Sequence, residues 1–213
     1  MKLDPWPRRE VYQFFSGLSN PFYSVCFRQD VTKLYRYVKA RGLSFYYSLI
    51  WCCTRAMDSV EAFHVALREG EPVRLPGRRP SFTDIRPGAE DFHIVTLGME
   101  EDLAAFCRAA GEKNRSQTAF TVPDSEGQDL IYYSCMPWVD MTSVTHERDF
   151  SAPGARDDSV PRVTWGKYVR EGEQLVLGLS LEVNHRLIDG SHIGQFAREL
   201  TAQLDRLNRD TPS

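Results

Sequence analysis

A histidine stands at the end of the most regular apolar segment of the chain. In QLVLGLSLEVNH, leucine or valine occupies every odd-numbered position from Leu175 to Val183, and His185 continues that face. This alternation predicts a half-buried strand whose odd-numbered side chains point into the core. Burial disfavours the charged form of an imidazole, so His185 should stay neutral near pH 7 and be able to accept a proton. His185 is therefore a candidate general base.

Two other interpretations of His185 compete with catalysis. A histidine on an apolar face is more often a satisfied core residue, which the pattern alone favours by roughly two to one. Asp189 and His192 follow in LIDGSH and could be taken, with His185, for metal ligands. That interpretation is weaker, because His185 lies on a strand and no second cluster supplies further ligands. We therefore predict no metal site.

The bulk composition restricts the class of protein. The 213 residues fit a single domain over 1–213, and 42% hydrophobic with 26% charged residues is typical of a soluble globular protein. A net charge of −3 with scattered basic residues argues against a nucleic-acid partner. No apolar stretch reaches the ~20 residues of a membrane span, and the first residues lack the apolar core of a signal peptide. The five cysteines fit no zinc motif, so we expect reduced thiols and a cytoplasmic protein.

The order of the predicted helices and strands along the chain is typical of an α+β fold. The predicted helices are residues 8–15, 31–42, 44–59, 100–113 and 191–207. The predicted strands are residues 22–30, 81–85, 129–138, 163–172 and 174–185, with a hairpin over 63–75 and long loops over 116–128 and 149–161. This order predicts a mixed, largely antiparallel β-sheet flanked by α-helices.

Four motifs resemble those of the chloramphenicol acetyltransferase family. NHRLIDG at 184–190 is similar to the HHxxxDG signature of acyltransferases that use coenzyme A, and WPRRE at 6–10 is similar to the family's Trp-x-Arg-Lys-Glu opening. YSCMPWV at 133–139 resembles its Ser-x-x-Pro-Trp strand, and VTWGKY at 163–168 resembles its Phe-Thr-x-Gly-Lys-Tyr strand. The resemblance extends over nearly the whole chain. It implies the two-layer sandwich of that family and a homotrimer with active sites between protomers.

The resemblance also implies catalytic roles. His185 would be the general base in a ternary complex, with acetyl-CoA as co-substrate and no permanently bound cofactor, and its own backbone carbonyl would hold its tautomer. Ser134 would stabilise the tetrahedral oxyanion, and Thr164 would hold a water near the same intermediate. An ordinary strand serine or threonine is the alternative at both positions. Asp189 would pair with Arg8 and support the architecture of the site.

Binding residues follow from the same resemblance, although core or surface packing would explain each of them equally well. The coenzyme A side would comprise Tyr46, Trp138, Lys167 and Tyr168, and the acceptor side would comprise Phe15, Phe14 and Tyr23.

Several positions depart from the family pattern. Asn184 replaces the first histidine of the signature, Pro21 stands where a cysteine is common, and Asp140 stands where serine is usual. The segment MTSVTHE after Asp140 and the loops over 120–128 and 149–161 also differ. These departures lie on acceptor-side segments, whereas the catalytic strand is retained. They indicate an acetyltransferase whose acceptor pocket has been reshaped.

The sequence therefore predicts an acetyl-CoA-dependent O-acetyltransferase that acts on a small hydroxyl acceptor, with chloramphenicol as the first candidate. One alternative is an enzyme of the same fold with another acceptor, either a different hydroxyl or a dihydrolipoyl-type thiol. A further alternative, from a different class, is a trimeric protein that sequesters a hydrophobic ligand without turnover. The presence of His185, Ser134 and Thr164 together counts against a simple binder.

Overall fold

A seven-stranded mixed sheet forms the centre of the computed structural model, which describes residues 6–86 and 88–207. In chain order the elements are α1 (Arg9–Ser16), β1 (Phe22–Asp30), α2 (Thr32–Arg41), α3 (Phe45–Asp58), β2 (Val65–Arg68), β3 (Glu71–Arg74), β4 (Arg79–Ile85), β5 (Phe92–Thr96), α4 (Leu103–Ser116), β6 (Leu130–Met136), β7 (Arg162–Gly166), β8 (Val169–Glu171), β9 (Gln174–Asn184) and α5 (Gly190–Arg206). Short 3-10 helices lie at Glu61–His64, Pro123–Ser125 and Ala155–Asp157.

The strand order confirms the predicted mixed, largely antiparallel sheet. The order is β1-β9-β7-β6-β4-β5, with β8 paired to β9 and a separate β2-β3 hairpin. Strands β4, β6 and β7 run parallel to one another, whereas β1, β7 and β8 pair antiparallel with β9 and β5 pairs antiparallel with β4. The long strand β9 therefore connects the antiparallel half of the sheet to the parallel half.

Most predicted elements are present, and three differ. Helix α4 begins at Leu103 rather than at residue 100, because the side chain of Asp102 caps the helix by accepting a hydrogen bond from the backbone N–H of Ala105. The strand predicted over 163–172 is two strands, β7 and β8. Strand β5 was not predicted, because its short sequence FHIVT follows a segment rich in proline, glycine and arginine and a histidine interrupts its apolar run.

The main core lies between the sheet and helices α2 to α5. Helix α3 is apolar on nearly all sides and packs against α2, α4 and α5, as its sequence predicts. Its N-cap Ser44 accepts a hydrogen bond from the backbone N–H of Tyr47. The odd-numbered side chains of β9, including Leu177, Leu179 and Leu181, are completely buried on this face.

The opposite face of β9 is also buried, which the alternation did not indicate. Residues 139–148, here named the covering segment, cross this face close to the backbone of β7 and β9. A β-carbon added at Gly166 would lie 2.5 Å from the carbonyl oxygen of Val139, and one at Gly178 would collide with the carbonyl oxygen of Met141. The two glycines therefore allow the covering segment to approach the sheet.

Within the described ranges, no helix is both long and apolar enough to cross a membrane. The five cysteines are free thiols, and Cys52, Cys53 and Cys107 are buried. No three His, Cys, Asp or Glu side chains of residues 6–86 and 88–207 are grouped as a metal site requires.

Candidate active site

His185 lies immediately after the last residue of β9, between two aromatic rings. Its backbone N–H donates to the carbonyl of Pro21 at 2.8 Å, which anchors the end of the strand. The imidazole stacks on Phe15 of α1, with ring centroids 3.8 Å apart, and lies 4.2 Å from the ring of Tyr23. Its side chain keeps 32% of its surface exposed. The environment is therefore half-buried rather than fully dry, and one edge of the ring remains accessible.

Burial lowers the pKa of His185 below its ordinary value. The negative charge of Asp189 opposes this effect and the positive charge of Arg8 adds to it. The net result is an imidazole that is neutral near pH 7, as a general base must be.

The predicted pair between Arg8 and Asp189 is present and bidentate. Arg8 Nη1 and Nη2 donate to the two carboxylate oxygens of Asp189 at 2.5 and 2.7 Å. This hydrogen bonding lowers the pKa of Asp189 and keeps it anionic. Asp189 precedes α5, and its backbone N–H donates to His192 Nδ1 at 2.9 Å. The pair thus ties the start of α1 to the start of α5, on either side of His185.

The expected hydrogen bond from the ring of His185 to its own carbonyl is not formed in this structure. Asp189 Oδ1 lies 3.9 Å from Nε2, which is beyond hydrogen-bonding distance. Among the described residues the ring is held by stacking on Phe15 and Tyr23. No hydrogen bond to a described residue fixes the tautomer of His185.

A cavity of about 730 Å³ opens at the end of the parallel strands and brings the predicted coenzyme A residues together. Its lining includes Tyr46, Trp138, Lys167 and Tyr168, with Ser134 at the strand end. The remaining walls come from α3, β4, β5, β6 and β7 and are mainly aromatic and apolar, apart from Thr83 and Asp84 of β4. Four residues from three separate parts of the chain therefore share one cavity, and Ser134 lies beside them.

Phe14 differs from the other residues predicted on the acceptor side. Phe14 is 71% exposed and its ring meets that of Phe15 edge-on, at 5.1 Å between centroids, whereas Phe15 and Tyr23 both touch His185. Tyr23 also donates its hydroxyl to the carbonyl of Ile188 at 3.2 Å, and burial, with Asp189 nearby, raises its pKa to about 12. Tyr23 is therefore a fixed neutral wall of the histidine site, and Phe14 is a solvent-facing ring.

Ser134 and Thr164 lie side by side but in different surroundings. They are register partners in the parallel pair β6–β7, and both point away from the main core. Ser134 is partly exposed, with Thr83 Oγ1 at the limiting distance of 3.5 Å. Thr164 is only 2% exposed, and its hydroxyl lies 3.0 Å from His146 Nε2. Ser134 is thus available to a bound molecule, whereas Thr164 already has a partner.

His185 and Ser134 are far apart within one chain. Ser134 pairs with Thr164, and Thr164 pairs with Ser180 on β9, so two strand spacings separate Ser134 from β9. His185 lies five residues beyond Ser180 in the sequence. With strands about 4.8 Å apart and about 3.3 Å of rise per residue, the separation is about 19 Å. The two side chains also lie on opposite faces of the sheet, so one protomer does not bring them together.

Three functional candidates were missed by the sequence analysis. His146 and Arg148 of the covering segment contact Glu182 of β9, with His146 Nδ1 3.3 Å from Glu182 Oε2 and Arg148 Nε 2.9 Å from Oε1. From the sequence, MTSVTHE, residues 141–147, was noted only as a departure from the family pattern. The only signal was that Gly178 and Ser180, both small, share a face with Glu182, which is typical of a face that another segment covers.

Comparisons with known proteins agree on one family. The family profile described as "Chloramphenicol acetyltransferase" matches residues 1–201. A protein of that name from Proteus mirabilis is 23% identical over 205 residues, covering 95% of this chain and 93% of its own length. A namesake from Streptomyces acrimycini is 26% identical over 208 residues, covering 95% and 92%.

Solved structures show the same fold. A structure titled chloramphenicol acetyltransferase superposes with a TM-score of 0.82 at 20% identity, covering 96% of this chain and 100% of its own. A probable dihydrolipoamide acetyltransferase from Listeria monocytogenes 4b F2365 gives a TM-score of 0.67 at 13% identity, covering 100% and 97%. The superposition is therefore better with the first of these two structures.

Proposed function

The chain belongs to the chloramphenicol acetyltransferase family and is an acyltransferase, and on this basis we propose that it transfers the acetyl group of acetyl-CoA to a hydroxyl of a small acceptor. The observation that carries the proposal is the cavity of about 730 Å³ around Ser134. All four residues expected to bind coenzyme A line it. The proposed acceptor is chloramphenicol, the compound named in the family and in its relatives.

The walls of this cavity suit the parts of acetyl-CoA. Trp138 is 75% exposed and, with Tyr46 and Tyr168, offers aromatic surface to an extended apolar arm and to a stacked base. Among the described residues, Lys167 is the only basic side chain on the lining, and it would face phosphate oxygens. The thioester would then reach Ser134 at the end of β6. Burial raises the pKa of the adjacent Cys135 to about 12, so this thiol stays protonated and does not compete as a nucleophile.

The proposed reaction is a direct acyl transfer in a ternary complex. His185 takes the proton of the acceptor hydroxyl while the hydroxyl oxygen attacks the thioester carbonyl. Ser134 donates a hydrogen bond to the oxyanion of the tetrahedral intermediate. The intermediate collapses by breaking its bond to sulfur, and the protonated His185 returns the proton to the thiolate of coenzyme A. No acyl-enzyme is required, since one imidazole serves both substrates.

The distance between His185 and Ser134 requires two copies of the chain in each site. A carbonyl carbon within reach of both groups needs them about 6 Å apart, whereas one protomer holds them about 19 Å apart. We therefore propose a closed ring in which His185 of one protomer meets Ser134 of its neighbour, with three protomers as the family resemblance implies. Large exposed hydrophobic side chains suited to such an interface include Phe14, Leu18, Val139 and Phe150.

Thiol release from acetyl-CoA with chloramphenicol tests the proposal. Wild type should release thiol only when chloramphenicol is present, and His185→Ala should lower the rate by about 10²–10⁴-fold. Ser134→Ala should lower kcat by about 10²–10³-fold. Ser180→Ala is the matched control, because this buried serine of the same sheet has no hydrogen-bond partner among the described residues, and it should leave the rate unchanged.

Three results would contradict the proposal in different ways. Failure of wild type to release thiol with chloramphenicol would remove this acceptor, and a panel of other hydroxyl acceptors and a dihydrolipoyl thiol would then decide the acceptor class. Full activity of His185→Ala would remove the general base. Tight ligand binding by calorimetry without any turnover would replace the enzyme with a sequestering protein.

A further inference from the structure

Thr164, His146 and Glu182 form a chain of hydrogen bonds beneath the covering segment. Thr164 Oγ1 lies 3.0 Å from His146 Nε2, and His146 Nδ1 lies 3.3 Å from Glu182 Oε2. Thr164 is the strand neighbour of Ser134, the proposed oxyanion donor. A second histidine and a carboxylate are therefore connected to the reacting end of the site, although the mechanism above assigns them no role.

The contacts of Glu182 define which way this chain points. Arg148 donates from Nε and Nη2 to Oε1 at 2.9 and 2.6 Å, so Oε2 is left for His146 Nδ1 and for the hydroxyl of Ser24 at 3.3 Å. Burial alone would raise the pKa of Glu182, but the hydrogen bonds from His146 and Arg148 lower it to about 2. An ionised carboxylate can only accept, so Nδ1 of His146 must carry the hydrogen. If the ring carries one hydrogen, Nε2 is an acceptor, which Thr164 fills by donating its hydroxyl.

The side chains of this hydrogen-bonded chain are mostly buried. Side-chain exposure is 18% at His146, 9% at Arg148 and 7% at Glu182, and Thr164 is 2% exposed overall. The guanidinium of Arg148 also lies over the ring of Phe22, 3.4 Å from its centroid, and donates to Asp158 at 2.6 Å. With one hydrogen on the ring, this buried arrangement holds a single direction, because a hydrogen on Nε2 would turn the lone pair of Nδ1 towards the Glu182 carboxylate.

We propose that His146 and Glu182 are positioning residues that fix the hydroxyl of Thr164 as a donor towards His146, so that the oxygen of Thr164 presents only its lone pairs to the reacting end of the site. Any water or hydroxyl bound there must then donate to Thr164. This inference rests on the proposed function for its catalytic consequence, since the reacting end is defined by Ser134. The direction of the hydrogen-bonded chain requires in addition that the His146 ring carry one hydrogen, which the NMR experiment below measures.

Nitrogen-15 NMR of the histidine rings tests the direction without any turnover. Protein labelled at the imidazole nitrogens should show neutral His146 with its hydrogen on Nδ1. The His146 resonance is the one missing from His146→Gln or, if that variant does not fold, the one shifted by Thr164→Val. A neutral ring with its hydrogen on Nε2, or a ring protonated on both nitrogens, would overturn the proposal, whether or not the enzyme turns over chloramphenicol.

A double-mutant cycle tests the consequence for the reaction. His146→Ala and Thr164→Val should each lower kcat by about 2- to 10-fold with little change in KM, which is the effect of one misdirected hydrogen bond. The double variant should be no slower than the slower single variant, because His146 acts through Thr164. His146→Gln should recover part of the loss, since its amide offers both an acceptor and a donor. Effects that multiply in the double variant would overturn the proposal. An inactive wild type would instead refute the proposed function. The NMR result would then still decide the direction of the hydrogen bonds between Thr164, His146 and Glu182.

Discussion

Two inactive variants should restore activity when they assemble together. His185→Ala removes the proposed base and Ser134→Ala removes the proposed oxyanion donor, so assemblies of either variant alone should be nearly inactive. In a mixed assembly, a protomer with intact His185 can lie beside a neighbour with intact Ser134. That interface then carries a complete site, although neither chain contains one.

The expected recovery follows from the pairing of strands β6, β7 and β9 in the sheet. Ser134 and His185 are separated by two strand spacings and five residues, about 19 Å, so a site formed within one chain is excluded on distance alone. If each site takes His185 from one protomer and Ser134 from the next, random mixing at equal amounts makes about one quarter of the sites complete. The same fraction holds for any closed ring, so it does not depend on the number of protomers.

The assay compares thiol release by three preparations at equal total protein. Each variant is purified alone, and the mixture is obtained by co-expression with different tags and two-step purification of assemblies that carry both. Before the two-step purification the co-expressed protein should recover about one quarter of the wild-type rate per site, and the doubly purified trimers about one third, because each mixed trimer has one complete interface of three. Mixing the separately assembled variants without dissociation should recover nothing. If co-expressed protein is no more active than the single variants, His185 and Ser134 do not meet across protomers. The inference from the strand pairing is then refuted.

Three further predictions concern packing, the ion pair and pH. Gly178→Ala should lower the free energy of unfolding by about 1–3 kcal/mol, because the added β-carbon forces the covering segment away from β9. Gly190→Ala should leave it unchanged, because its β-carbon would meet nothing within 4 Å. Equal unfolding midpoints for the two variants would contradict this packing. Asp189→Asn should lower the free energy of unfolding by about 1–2 kcal/mol. This is less than for a fully buried ion pair, because the side chains of Arg8 and Asp189 are 20% and 32% exposed. A variant with unchanged thermal stability and lost turnover would show that the pair acts in chemistry alone. Because burial lowers the pKa of His185, kcat/KM should be constant at neutral pH and fall only as the pH drops through a midpoint below about 6.5. Asp189→Asn should move that midpoint to still lower pH, because it removes a negative charge that raises the pKa of His185. A midpoint above about 6.5 would contradict the half-buried setting of the imidazole.

Local patterns in the sequence were sufficient for most elements of the fold. The apolar helix α3 and the alternating strand β9 with His185 at its end follow from side-chain period and capping, which depend on residues close together in the chain. The pair between Arg8 and Asp189 followed from matching motifs at both ends of the chain. Strand β5 was missed because five residues containing a histidine carry too little periodic signal.

The tertiary structure alone decided how the pieces of the site are arranged. Alternation along β9 marks two faces, but it cannot show that the covering segment buries the second one, because that depends on the path of a loop in space. Strand register sets the separation between His185 and Ser134, and no local pattern encodes register between strands distant in sequence. The sequence by itself thus determined which residues carry the proposed chemistry, and the fold decided that they lie apart in one chain and that His146 holds Thr164.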